Sequence, residues 1–189
     1  MSKVEPIRDL KKIDAIKRIL KKENPRNYLF FILGINTGIR ADDLLNLKVE
    51  DVIDSSGQVK NYLNVSDRNG QEISLFLNEM VKETIKNYLE GLGDLKREQF
   101  LFASRKGGNR PISRVHAWHV LNDAAQRVGI SSNIGTNTLR KTFAYHALSQ
   151  GVDIFHLQKI FNHLSPCITM KYIGVTESEL SQVKINLKL

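Results

Sequence analysis

The chain carries one cysteine, Cys167, in 189 residues. A lone thiol cannot close an internal disulfide and has no partner for a paired-cysteine metal site, which suits a reducing compartment. Cys167 is expected to be a small packing residue. Long apolar runs are missing as well: the stretch from Tyr28 to Ile35 stops at Asn36, far short of the roughly 20 apolar residues of a membrane-spanning helix. Met1-Ser-Lys-Val-Glu5 lacks the apolar centre of a secretory signal. No internal repeat or low-complexity linker divides the sequence. These absences predict a cytoplasmic protein with no membrane partner.

What is present is ordinary for a folded domain: 41% hydrophobic and 25% charged residues, a balance that argues against disorder. The length suits one compact domain over residues 1–189, with a substantial core and no second full-sized unit. The net charge of +8 favours a polyanionic partner, since a basic surface speeds and strengthens binding to phosphate backbones. Basicity alone leaves nucleic acid as one possibility among others.

Between Asp9 and Lys22 the residues Leu10, Ile13, Ile16, Ile19 and Leu20 recur at three- and four-residue steps, which predicts an amphipathic helix. Asn24-Pro25 ends it and starts another, nearly all apolar from Asn27 to Thr37 and capped by Gly38. That helix delivers Arg40 to a turn, and Ala41 to Leu47 reads as a short helix with Asp42 and Asp43 at its positive end. Tyr62–Val65 and Ile73–Leu77 are strand-like and flank Asn69-Gly70, a strong hairpin signal. Asn78 caps a helix with Val81, Ile85, Tyr88 and Leu89 inward, ending at Gly91. Ser113 caps the next, carrying Val115, Trp118, Val120, Leu121, Ala124 and Val128 towards Gly129. Helical pieces follow over 137–149 and 153–161, then a short turn from Ser165 to Tyr172, and Thr176 with Glu179 opens a last helix in capping-box spacing. The expected class is α+β, mainly α-helical with a small antiparallel β-hairpin sheet.

Four local patterns carry possible chemistry: Thr37-Gly-Ile-Arg40 with Asp43-Leu-Leu45 behind it, Thr138-Leu-Arg140-Lys141-Thr142, Asn162-His163-Leu-Ser165, and Thr169-Met-Lys-Tyr172. Singly, each has a plainer reading. Arg40 can be a solvated helix-end residue, Arg140 with Lys141 a basic helix face, His163 a turn histidine, and Tyr172 a surface aromatic with its ring packed and its hydroxyl wet. Together, in this order and spacing, they resemble the tyrosine recombinase, or phage integrase, family. That family has an arginine after a Thr-Gly turn, a second arginine in a His-x-x-Arg box, a Gly-His box, and a tyrosine about nine residues later. The likeness runs through the whole chain.

The resemblance implies the recombinase catalytic-domain fold and a site-specific DNA recombinase acting for a mobile element. Tyr172 would be the nucleophile, forming a 3′-phosphotyrosine bond and freeing a 5′-hydroxyl that later rejoins a strand. Arg40, Arg140 and His163 would hold the phosphate. A phenol with an ordinary pKa near about 10 is a weak attacker, so the site must stabilise transition-state charge. Guanidinium forks suit that task because they stay charged and grip two oxygens at once. Arg40, Arg68, Arg140 and Lys141 are the expected DNA contacts, double-stranded DNA is the partner, and neither a metal nor another cofactor is implied. Relatives also suggest a homo-tetramer on DNA that exchanges the C-terminal helix beyond Thr176.

Four features depart from the family. The first position of the His-x-x-Arg box is Asn137, which can hydrogen-bond a phosphate but cannot transfer a proton at neutral pH. The hairpin residue that is lysine in the family aligns with Arg68, a poor proton donor, and Lys60 lies at the far end of the strand. Asn162 stands where glycine is usual, a mild change because asparagine tolerates left-handed backbone angles. The N-terminal clamp domain of full-length integrases is not found ahead of Ile7, consistent with a trimmed catalytic domain or a stand-alone small protein. Two alternatives to an active enzyme therefore remain: a catalytically impaired DNA-binding or regulatory relative, and a basic helical interaction domain.

Overall fold

The computed structural model describes residues 4–66, 70–93, 96–106 and 108–175. The helix expected from Thr176 and the hairpin residue Arg68 lie outside this set. Helix α1 (Leu10–Glu23) has Asp9 as its N-cap, with the carboxylate accepting from Lys11 N, and ends at Asn24. Asn24 is at once the cap of α2 (Pro25–Thr37), accepting from Arg26 N and Asn27 N. The expected stripe on α1 is narrower than its sequence implies: Ile13, Ile16 and Leu20 are buried, while Leu10 is 63% exposed. Leu10 is the first helical residue, so no earlier turn of the helix covers it.

Helix α2 is the axis of the molecule. Leu29, Phe30, Phe31, Ile32 and Leu33 are fully buried, because α1, α5 and α7 pack around it. After it come α3 (Ala41–Asn46), α4 (Val49–Val52), β1 (Tyr62–Ser66), β2 (Glu72–Phe76), α5 (Glu79–Glu90), α6 (Arg114–Arg127), α7 (Thr136–Ser149), α8 (Ile154–Phe161) and α9 (Pro166–Ile173). The one-turn helix α4 is not evident in the sequence. Its Asp51 side chain accepts from the Lys48 backbone N–H at 2.7 Å, a local cap too short to leave a periodic pattern.

Strands β1 and β2 pair antiparallel, with Leu63 opposite Leu75 and Tyr62 opposite Phe76. Leu63 and Leu75 face the core, and Tyr62 and Phe76 touch on the outer face with ring centres 5.6 Å apart. The period-2 alternation thus decides which side of the hairpin packs.

Helix α6 corrects the sequence reading. Its buried face is Ala117, Leu121, Ala124 and Ala125, whereas Val115 is 64% and Trp118 44% exposed. Of the residues expected inward, Leu121 and Ala124 are buried and Val120 and Val128 pack against the main cluster, while Val115 and Trp118 turn outward. Cys167 is likewise exposed rather than packed, on the first turn of α9.

The packing divides into a main cluster built around α2 and a smaller one of Ala144, Leu157, Phe161 and Ile173 that joins α7, α8 and α9. Helix α7 belongs to both, presenting Leu139 to the first and Ala144 to the second. Gly34 makes the close α2–α7 approach possible: a Cβ there would lie 2.5 Å from Leu139 Cδ1 and 2.9 Å from Leu139 Cβ. Leu139 Cβ moves only with the α7 backbone, so an added methyl must force the helices apart. Gly34→Ala gains about 1 kcal/mol of helix propensity but meets an overpacking cost of about 1–3 kcal/mol. A net loss is therefore expected, read as a lower urea midpoint at unchanged slope; an equal or higher midpoint would show that α2 and α7 separate freely.

Candidate active site

Arg40 is placed by a turn that only glycine permits. Gly38 ends α2 with φ 64° and ψ 17°, and a side chain there would run into the Phe143 ring. Thr37 closes the last turn of α2 by donating its hydroxyl to Leu33 O at 2.7 Å. Ile39 then buries, and Arg40, half-buried, becomes the extended residue ahead of α3.

Arg140 arrives from α7 and is 8% exposed. Its Nη1 donates to the Gly38 carbonyl and its Nη2 to Ile160 O at 3.2 Å, while the guanidinium carbon stands 4.1 Å over the Phe161 ring. One buried guanidinium therefore joins the turn that carries Arg40 to the end of α8.

The link from α8 to α9 sets the other two groups. Asn162 takes the left-handed conformation, φ 52° and ψ 50°, which the sequence anticipates for an asparagine in the usual glycine place. His163 follows, its backbone N–H donating to Gln158 O at 3.1 Å and its carbonyl accepting from Gln158 Nε2 at 3.0 Å. Ser165 caps α9 and Pro166 opens it, so Tyr172 sits near the end of an eight-residue helix. Phe161, His163 and Tyr172 form a triangle of edge-on rings, with centroids 5.5, 5.5 and 5.2 Å apart.

Arg40, Asn137, Arg140, His163 and Tyr172 line one open cavity of about 390 Å³. Asn137, exposed, is at its rim on the first turn of α7. Lys141 is not on this surface: it is 3% exposed and donates to Val4 O at 2.8 Å. The structure thus separates it from the expected DNA-facing group, because α7 turns it away from Arg140 and under the N-terminal segment. Lys60 donates to Glu50 O at 2.8 Å at the far end of β1, away from the site. The near end of β1 does reach it, with Val65 and Ser66 bordering a small cleft shared with Arg40, Asp43 and Arg140. Among the described residues no group of histidine, cysteine or acidic side chains could hold a metal ion, and no helix is long and apolar enough to cross a membrane.

The protonation states follow from surroundings. Burial pushes the Tyr172 phenol above its usual value, against the opposing charge and hydrogen bond of Arg140. The phenol is therefore protonated at neutral pH, and any reaction at its oxygen would need a proton acceptor. Burial, helped by the positive charges of Arg140 and Arg40, pushes His163 below its usual range, so the imidazole is neutral. Thr169 Oγ1 stands 3.0 Å from His163 Nδ1 and 3.3 Å from Ser165 O. When that hydroxyl donates to Ser165 O, Nδ1 carries the imidazole hydrogen and Nε2 is the proton acceptor. Thr169, which opens the Tyr172 pattern, was given no role by the sequence, and Phe161, which packs on Arg140, His163 and Tyr172, gave no signal beyond ending a helix.

A family model for the phage integrase family matches residues 9–179. The chain belongs to that family. Within this family it is 41% identical over 175 residues to the probable integrase/recombinase YoeC of Bacillus subtilis (strain 168), covering 92% of this chain and 91% of that protein. It is 31% identical over 163 residues to the tyrosine recombinase XerC of Staphylococcus carnosus (strain TM300), covering 85% of this chain and 53% of XerC. The chain thus spans nearly all of YoeC and about half the length of XerC. Its fold is similar to that of the XerH site-specific recombinase bound to palindromic difH substrate in a post-cleavage complex, with a TM-score of 0.74 at 18% identity over 95% of this chain and 52% of XerH. The α+β catalytic-domain fold expected of a tyrosine recombinase is the fold observed, and the chain is an integrase-family DNA recombinase domain.

The lowered His163 pKa has a measurable sign. In the unfolded chain the imidazole takes up a proton as pH falls through about 6.5, while the folded site resists it until a lower pH. Folding stability should decline as pH drops below that value and level off below the folded pKa. His163→Gln should flatten part of this decline, as read from urea midpoints between pH 7.5 and 5; an unchanged slope would mean that His163 is not held neutral.

Proposed function

We propose that this chain cuts and rejoins double-stranded DNA at specific sites, with Tyr172 as nucleophile. The observation that carries the reading is the convergence of Tyr172, Arg140, His163 and Arg40 on one cavity from four separate segments of the chain. The Tyr172 oxygen attacks the scissile phosphorus as its proton passes to His163 Nε2. A phosphotyrosine bond forms and the 5′-oxygen leaves, taking up a proton to become a hydroxyl. That hydroxyl, or its counterpart on a second strand, then attacks the phosphotyrosine and releases Tyr172 while His163 returns the proton. The phosphodiester is conserved across the two steps, so no energy source is consumed.

Arg40 and Arg140 supply the charge that the pentacoordinate phosphorus needs. Arg140 is fixed before DNA arrives, with Gly38 O, Ile160 O and Phe161 all holding it, and such preorganised donors cost little reorganisation at the moment of reaction. Asn137 is placed to hydrogen-bond a phosphate oxygen. Protonation of the 5′-oxygen falls to water, since Asn137 cannot supply a proton and Arg68, which stays charged, can only hydrogen-bond the oxygen. The proposal extends to residues 1–189 as one catalytic domain, to a mobile element as the source of the target sites, to action in the cytoplasm, and to a tetramer on DNA in which the segment beyond Thr176 packs on a neighbouring protomer.

The test is incubation with supercoiled plasmid and with nicked duplexes from the flanks of its own gene, quenched in detergent. A protein–DNA adduct is expected, absent in Tyr172→Phe. Arg140→Lys, which loses the planar fork, should slow single-turnover cleavage by about 10²-fold or more while DNA affinity changes far less. Salt-sensitive DNA binding without any adduct would favour the impaired, regulatory relative that Asn137 and Arg68 suggest. No binding at low salt would favour a basic interaction domain.

A further inference from the structure

A lysine ammonium lies against the ring of the proposed nucleophile, and the active-site reading does not use it. Lys141 follows Arg140 on α7 and is 3% exposed. Its Nζ stands 5.1 Å from the centroid of the Tyr172 ring while donating to the Val4 carbonyl at 2.8 Å. Lysine is among the side chains least often fully buried, because an ammonium gives up far more hydration than an apolar group. A methionine of similar length would fill the same space without that loss. A cation kept where an apolar chain would fit better points to a role other than stability.

The carbonyl that receives Lys141 belongs to a strap, residues 4–8, laid over α7 ahead of α1. Glu5 N donates to Asn133 O at 3.0 Å, Ile7 N to Thr142 Oγ1 at 2.9 Å, and His146 Nε2 meets Ile7 O at 2.9 Å. Arg8 Nη2 donates to Gly174 O at 2.8 Å, and Gly174, with φ 82°, is the C-cap of α9, two residues past Tyr172. The strap therefore touches the nucleophile helix at its end and, through Lys141, at the nucleophile's own ring. Phe161 and His163 meet that ring edge-on from the cavity side.

We infer that Lys141, seated on the strap, is a positioning residue for Tyr172: its ammonium holds the phenol ring in the orientation that keeps the hydroxyl beside Arg140. Lys141 touches no reacting atom, so its effect falls on the rate of attack rather than on DNA affinity. The inference rests on Tyr172 being the nucleophile, and the experiment separates the two.

The protein is prepared with 3-fluorotyrosine at position 172 and compared with Lys141→Met, Lys141→Gln and Lys141→Arg. Fluorine spectra of the free protein should show separate resonances for the two ring edges in the parent chain and in Lys141→Arg. In Lys141→Met they should merge into one averaged line. Lys141→Gln, which keeps a donor for Val4 O and loses the charge, should average as well, and decides the matter should Lys141→Met fail to fold. On nicked duplexes the Met and Gln variants, with the natural tyrosine, should cleave about tenfold more slowly at unchanged DNA affinity, the scale of one desolvated cation–π contact. Ring signals alike in the parent chain and the uncharged variants would overturn the inference. If the parent chain forms no DNA adduct, the proposed function fails, while the fluorine comparison still decides whether Lys141 holds the ring.

Discussion

The site depends on the buried guanidinium of Arg140. Its two arms end on carbonyls from different parts of the chain, Gly38 at the exit of α2 and Ile160 near the end of α8, and its face lies on Phe161. The cation is thus held rigidly and still presents positive potential to the cavity, where it lowers the proton affinity of His163 and opposes the upward shift of Tyr172. Structural and electrostatic duties fall on one side chain, which is why the turn at Gly38, the close contact at Gly34 and the α8–α9 link all bear on the same few ångströms.

The local chemistry of the sequence was sufficient to locate most elements. Asp9, Asn24, Asn78, Ser113, Asp153 and Ser165 each cap a helix through a side-chain oxygen, and such caps leave a signal in two or three adjacent letters. The hairpin was legible for the same reason. What the letters hide is depth: α6 packs through Ala117, Leu121, Ala124 and Ala125 while Val115 and Trp118 stay exposed, and α4 is a single turn.

The site was legible in its identities more than in its connections. Arg40, Arg140, His163 and Tyr172 stand out by residue type and order. Their mutual support comes from groups with no chemical label, such as the Gly38 carbonyl, the Phe161 ring and the Thr169 hydroxyl, and long-range contacts of that kind leave no local trace. Lys141 shows the opposite error. Next to Arg140 in sequence, it reads as part of one basic face, yet adjacent helical residues point about 100° apart, enough to send one to the cavity and the other beneath the strap.

The division of the core into two clusters has a consequence for how the protein can fail. Most of the apolar mass gathers around α2, whereas Tyr172, the proposed nucleophile, rides on α9, secured by the small group of Ala144, Leu157, Phe161 and Ile173. Segments with few buried apolar contacts open at lower free energy than the whole. The α8–α9 unit is therefore the part of the site with the least apolar anchoring: were it to open from α7, His163 and Tyr172 would leave Arg40 while the larger body stayed folded. In such an opening most of the helical signal in circular dichroism would persist, although the site would no longer be assembled.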